Sequence, residues 1–96
     1  MKMNYTSAPM QFYKQLTGKN LNHNEMVFLD SMMRMYPRFP NEVINTAIEL
    51  SVQGKGRIVF SYLDKVFAHW ERVVVRDRRR ALEIINKVRN SSINSI

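Results

Sequence analysis

Ninety-six residues, 45% hydrophobic and 24% charged, suffice for one folded domain with a single core and are too few for two. The absence of cysteine excludes disulfides and thiolate catalysis and fits a reducing compartment. The net charge of +7 is uneven: residues 54–96 hold ten basic and four acidic side chains, residues 1–53 only five and four. A basic C-terminal half favours nucleic acid or an acidic protein surface as partner.

Residues 1–7 are polar and are expected to form a flexible N-terminus. A short helix is predicted from Ala8 to Leu16, with Ser7 as N-cap, Pro9 in the first turn and Gly18 just past the end. The second is capped by Asn22, with Glu25 three residues on as in a capping box. Met26, Leu29, Met33 and Tyr36 recur along it at helical spacing, and Pro37 enforces its stop. Pro40 opens a third helix, whose Val43, Ile44, Ala47, Ile48 and Leu50 make the broad apolar face of a central, buried element; Gly54-Lys55-Gly56 breaks it. The fourth and longest is predicted from Ile58 to Val74, and the fifth from Asp77 to Val88. Ser- and Asn-rich residues 91–96 read as a flexible tail. Two β-prone runs, Ile58-Val59-Phe60 and Val73-Val74-Val75, are too short to be strands and are flanked by helical periodicity. The expected fold is all-α, a compact single-domain bundle of about five helices over residues 8–90. No run approaches the roughly 18 apolar residues of a membrane span, nor is there a signal-peptide core, so the expected location is cytoplasmic, without membrane contact.

Tyr62, Val66 and Trp70 stand four residues apart, so on a helix they form one slanting stripe, each about 40° further round than the last. Beyond it lie Arg72, Arg76, Arg78, Arg79 and Arg80, with Asp77 the only acid among them. An aromatic stripe running into arginines is the pattern of a polyanion-binding surface, and equally of a packed helix followed by a solvated segment. Val66 and Trp70 are expected to pack in the core, and Tyr62 to present its polar tip. The arginines are the better candidates for direct phosphate contact, since guanidinium forks pair bidentately with phosphate oxygens. Lys55-Gly56-Arg57 resembles a small phosphate-binding turn but lacks the P-loop pattern; helix breaking also explains its glycines. His23 and His69 lack metal-ligand spacing, and no nucleophile–base pair stands out, so no catalytic residue, metal or cofactor is expected and the chain is not read as an enzyme. Asp64 and Glu71 are expected to be solvent partners of Lys65 and Arg72. Met26, Met32, Met33 and Met35 cluster on the second helix; if two lie outside, they offer an adaptable surface for a partner helix.

The order FYKQLTGKNL, an Asn-capped helix, FPNEVINTAIE and KGRIVFSYLDKVFAHW resembles the DnaD-like domain of bacterial and phage replication-initiation proteins. That family's Phe/Tyr near the start, its Gly-x-x-Leu turn and its Tyr-x-x-x-Ile-x-x-x-Trp helix correspond to Phe12-Tyr13, Gly18 with Leu21, and Tyr62, Val66 and Trp70. Its Gly-Lys before the Tyr helix appears as Gly56-Arg57. Val66 in place of Ile removes one methylene, which a packing site tolerates. The resemblance covers about residues 12–74. It implies a helical domain of primosome assembly that binds DNA through the Tyr/Ile/Trp helix and the basic region after it, and that contacts other initiation proteins. Such proteins usually carry an N-terminal winged-helix domain, for which a chain starting at Met1 has no room. The expectation is therefore a free-standing version, of phage or plasmid type, or a part of a longer protein.

The expected function is DNA binding in replication initiation through Lys55, Arg57, Tyr62, Arg72, Arg76, Arg78, Arg79 and Arg80. Single-stranded or non-specific contact is favoured, because no base-reading helix is evident. The alternative is an adaptor or inhibitor that binds a replication-initiation protein or helicase loader; self-association into a homo-oligomer is left open.

Overall fold

Caps, prolines and glycines divide the chain into five helices: α1 (Pro9–Thr17), α2 (His23–Met35), α3 (Asn41–Lys55), α4 (Phe60–Arg72) and α5 (Arg78–Asn94). The computed structural model describes residues 3–94, and no strand occurs among them. The all-α bundle expected from periodicity is therefore the fold.

The boundaries follow local chemistry. In α1, Pro9 occupies the first helical position and Ala8, not Ser7, stands at the N-cap without a side-chain bond; proline's missing N–H and preset φ suit that position. The Ser7 carbonyl instead accepts from Asn45 Nδ2 at 2.7 Å. Asn22 and Glu25 form the complete capping box, each side chain bonding the other's backbone N–H at 2.8 Å. Gly18 and Gly56 close α1 and α3 in the left-handed region, at φ 75° and 74°. The fourth helix is shorter than expected at both ends. Before it, Ser51 Oγ donates to the Arg57 carbonyl and accepts from the Val59 N–H, holding that lead-in extended. The fifth is longer, since nothing in the Ser/Asn-rich stretch breaks a helix: residues 91–94 continue α5, and Ser95 and Ile96, like Met1 and Lys2, lie outside the described residues.

The central element is α3. Every residue from Val43 to Ser51 is buried, and α1, α4 and α5 all pack against this helix. The core runs from Phe12 through Val43, Ile44, Ala47 and Ile48 to Leu63, Phe67 and Trp70. An aromatic chain extends it: Tyr36 stacks on Phe39, Phe39 meets Phe67, and Phe67 meets Trp70 edge-on with centroids 6.5 Å apart. Where α2 passes α4, Phe28 stacks on Phe60 at 4.4 Å.

Residues 3–7, expected to be loose, are strapped to α3. Asn41 donates to the Thr6 carbonyl and Asn45 to the carbonyls of Tyr5 and Ser7. Those side-chain amides replace water at backbone groups that would otherwise keep the segment solvated.

The turn from α4 to α5 is a Schellman motif. The Val75 N–H bonds the Trp70 carbonyl at 3.0 Å and the Val74 N–H bonds that of Glu71 at 3.4 Å. Val75 and Trp70, the two positions at which an apolar contact commonly accompanies such a cap, are both fully buried. The left-handed position, usually glycine, is Val74 at φ 59°. A β-branched side chain there costs about 1–2 kcal/mol.

Trp70, with no exposed surface, lies where α4 meets that turn. Trp70→Ala is expected to lower unfolding stability by about 3–5 kcal/mol, read by urea titration followed by circular dichroism.

Candidate nucleic-acid interface

Three arginines open α5, the end of a helix where backbone N–H groups make positive charge unfavourable. Carboxylates offset it. Asp77 Oδ1 caps the helix by accepting from the Arg80 N–H at 2.8 Å, and Glu42 Oε1 of α3 accepts from the Arg78 N–H at 3.2 Å.

Arg78, expected among the phosphate contacts, is turned inward. Its guanidinium pairs with Glu49 at 2.9 Å, donates to Thr46 Oγ1 at 3.0 Å and lies 3.7 Å from the centre of the Tyr5 ring. Tyr5 in turn donates its hydroxyl proton to Glu49 Oε2 at 2.5 Å. The Glu49 side chain is only 8% exposed, so this guanidinium is spent on neutralising a buried carboxylate. Burial first, then the bond to Glu49 and that carboxylate's charge, raise the Tyr5 pKa above its ordinary 10.0; Arg78 opposes them.

The other arginines stay available. Arg72, Arg79 and Arg80 are exposed; Arg76 is half-buried, with Nη1 on the Val75 carbonyl at 3.0 Å. Arg79 and Arg80 share Glu83 at 3.4 and 3.3 Å, at side-chain exposures of 88% and 48%. Such surface pairs are worth about 0–1 kcal/mol, so a phosphate can displace them. The expected pairings of Asp64 and Glu71 with Lys65 and Arg72 do not form. Neighbours in sequence diverge by about 100° round a helix, and Glu71 is half-buried with a buried Oε2 that lacks a hydrogen-bond partner.

The remaining candidates lie at the other end of the bundle. Lys55 ends α3, while Arg78 docks at Glu42 near that helix's start. Thirteen residues of helix at 1.5 Å each separate the two ends by about 20 Å. Lys55 and Tyr62 line one cleft of about 250 Å³ with Leu50, Ser51 and Gly54. Tyr62 is half-buried, whereas Val66 and Trp70 are buried as expected of packing residues. Lys55 and Arg57 are exposed, but the turn they flank offers little backbone to an anion. The Gly56 N–H is bound to the Val52 carbonyl at 2.7 Å and the Val59 N–H to Ser51.

The chain matches, over residues 10–90, the family model described as replication initiation and membrane attachment. It belongs to that family. The DnaD-like resemblance is thereby shown, and with it a role related to replication initiation. No curated protein and no solved structure matches the chain. Beside the membrane attachment that the family description names, no helix among the described residues is long and apolar enough to cross a bilayer.

Two features of this family member escaped sequence reasoning. One is the polar face of α3, where Asn41, Glu42, Asn45, Thr46 and Glu49 recur at helical spacing; its signal is the scarcity of long cationic side chains, unusual for a solvent face. The other is Val74, which only the backbone reveals. The methionine surface on α2 is present: Met32 is buried, while Met26, Met33 and Met35 are exposed at 39%, 37% and 59%. Met26 and Met33 join Met10, Pro9, Leu21 and Leu29 around an apolar groove of about 310 Å³ between α1 and α2.

Arg78→Ala is expected to destabilise by about 3 kcal/mol by stranding Glu49, whereas Arg79→Ala should stay within about 0.5 kcal/mol, in parallel thermal melts. Because the Tyr5 value is raised in the folded state, its contribution is whole below pH 10 and is lost as pH rises through the folded-state value. Tyr5→Phe is expected to be less stable at neutral pH and to lose less stability above pH 10, measured by denaturant titration across that range.

Proposed function

We propose that this chain is a DNA-contacting module of replication initiation, a binding protein and not a catalyst, and that Arg72, Arg76, Arg79 and Arg80 hold the phosphates. The observation that carries this reading is their gathering around one turn, with Arg78 neutralised from within and Asp77 engaged in capping. Among the described residues, Glu83 answers Arg79 and Arg80 with side-chain ion pairs, and it is exposed. Arginine forks on both arms of a turn suit non-specific contact with a flexible strand, because phosphate contact carries no sequence information. Lys55, Arg57 and Tyr62 supply a second, weaker contact about 20 Å away, the rise of roughly six base pairs.

A second reading has its own support. The methionine-lined groove between α1 and α2 is the kind of soft apolar surface that takes a partner's amphipathic helix. On that reading the chain is an adaptor or inhibitor, of phage or plasmid type, that engages an initiation protein or helicase loader. The two readings use different elements and are compatible.

Alanine at Arg72, Arg79 and Arg80 together is expected to leave the melting temperature near that of the parent, weaken binding to labelled single-stranded DNA, and flatten the dependence of log affinity on log salt by about two units. An unchanged salt slope in a fluorescence anisotropy titration would refute the assignment.

A further inference from the structure

Val74 is a liability that the fold does not use. It sits at φ 59°, where glycine would be unstrained, and is 59% exposed, whereas its neighbour Val75, bonded through its N–H to the Trp70 carbonyl, is fully buried. Val73, beside it, is 37% exposed. Strain retained without structural return points to what the side chain meets outside the molecule.

The surroundings say what that is. The two valines crown the α4–α5 turn between Arg72 and Arg76, with exposed Arg79 and Arg80 opening the next helix. A ligand for this surface must present phosphates and an apolar face within a few ångströms of one another. Nucleic acid with unstacked bases does so, and fully paired duplex, whose base faces are covered, does not. A bilayer of anionic lipid also offers both, but it is planar. The arginines come from both arms of the turn, Arg72 ending α4 and Arg79 and Arg80 opening α5, which suits a strand passing around the tip better than a flat sheet of headgroups.

We propose that Val73 and Val74 form an apolar wedge that seats against unpaired bases while the surrounding arginines hold the flanking phosphates. Apolar side chains inserted at unstacked steps are an established means of gripping distorted DNA. The inference rests on the DNA-contacting reading above and adds to it a preference for opened over intact duplex.

The test uses the full chain, a fluorescent duplex with a central unpaired bubble, the fully paired duplex of the same length, and anionic vesicles of phosphatidylglycerol. Val74→Gly relieves the strain, and Val74→Asn keeps a residue that tolerates the left-handed region while removing the apolar surface. Val74→Gly is expected to melt about 5 °C higher than the parent, yet both variants should bind the bubble about tenfold more weakly, with affinity for intact duplex unchanged. A parent that binds both duplexes equally, or variants that keep the bubble preference, would overturn the wedge and leave the arginine reading standing. A parent that binds no DNA would sink that reading and the wedge with it. Vesicle binding lost on Val74 substitution, with bubble binding intact, would assign the tip to a membrane surface instead.

Discussion

One buried carboxylate organises this molecule. Glu49 lies on the central helix with 6% of its surface exposed, and a charge so placed must be paired or it costs several kcal/mol. Its partners come from the two ends of the fold: the Tyr5 hydroxyl, 44 residues earlier, and the Arg78 guanidinium at the start of α5. Neither can satisfy it unless both the N-terminal strap and the last helix are docked. Replacing the whole network by apolar residues of similar volume would not obviously weaken the fold, since buried ion pairs gain little over well-packed hydrocarbon. What the pair contributes is register. Glu42, Thr46 and Glu49 stand one helical turn apart on α3, and each bonds Arg78, through its backbone or its side chain. A shift of α5 by one turn would lose all three bonds.

That register determines how the basic cluster is presented. With Arg78 fixed inward, the 100° step of the helix sends Arg79 and Arg80 outward, where both reach the exposed Glu83. The first turn of a helix is a poor place for three cations, and the fold compensates at the backbone, by Asp77 capping and by Glu42 on the first N–H. Carboxylates used in this way are held by N–H groups and are not free to close over the exposed guanidiniums. The result is a helix start that tolerates arginines and keeps most of them available for a ligand.

Much of this was legible in the chain itself. Asn22 with Glu25, Pro37, Pro40 and Gly56 are local signals whose outcome does not depend on the rest of the fold, and each acts where it was expected to. Trp70 and Val66 are buried as expected, since large aromatic and aliphatic side chains dominate a small helical core, whereas their spacing alone fitted a binding stripe equally well. The inward turn of Arg78 did not, because nothing distinguishes it from Arg79 until α3 is laid beside it. The strap over residues 3–7 was hidden for the same reason: a polar segment reads as solvated unless its acceptors meet donors supplied by a distant helix. Val74 was hidden differently. A left-handed cap is normally announced by glycine, and here a β-prone Val-Val-Val run occupies the turn instead.

The two proposed readings place DNA and a protein partner on different surfaces, and the layout permits both at once. The arginine tip is built from α4, α5 and the turn between them, and the methionine groove from α1 and α2, with no residue in common. Occupying one leaves the surface of the other uncovered. Coupling between them has two routes: directly from α2 to α4 where Phe28 stacks on Phe60, and through α3, the helix against which α1, α4 and α5 all pack, by way of its polar face. There Asn45 and Glu49 hold the strap that leads into α1, and Glu49 and Thr46 hold the first residue of α5. The same residues that fix the last helix therefore fix the approach to the groove, and a ligand that displaced Arg78 from Glu49 would loosen both.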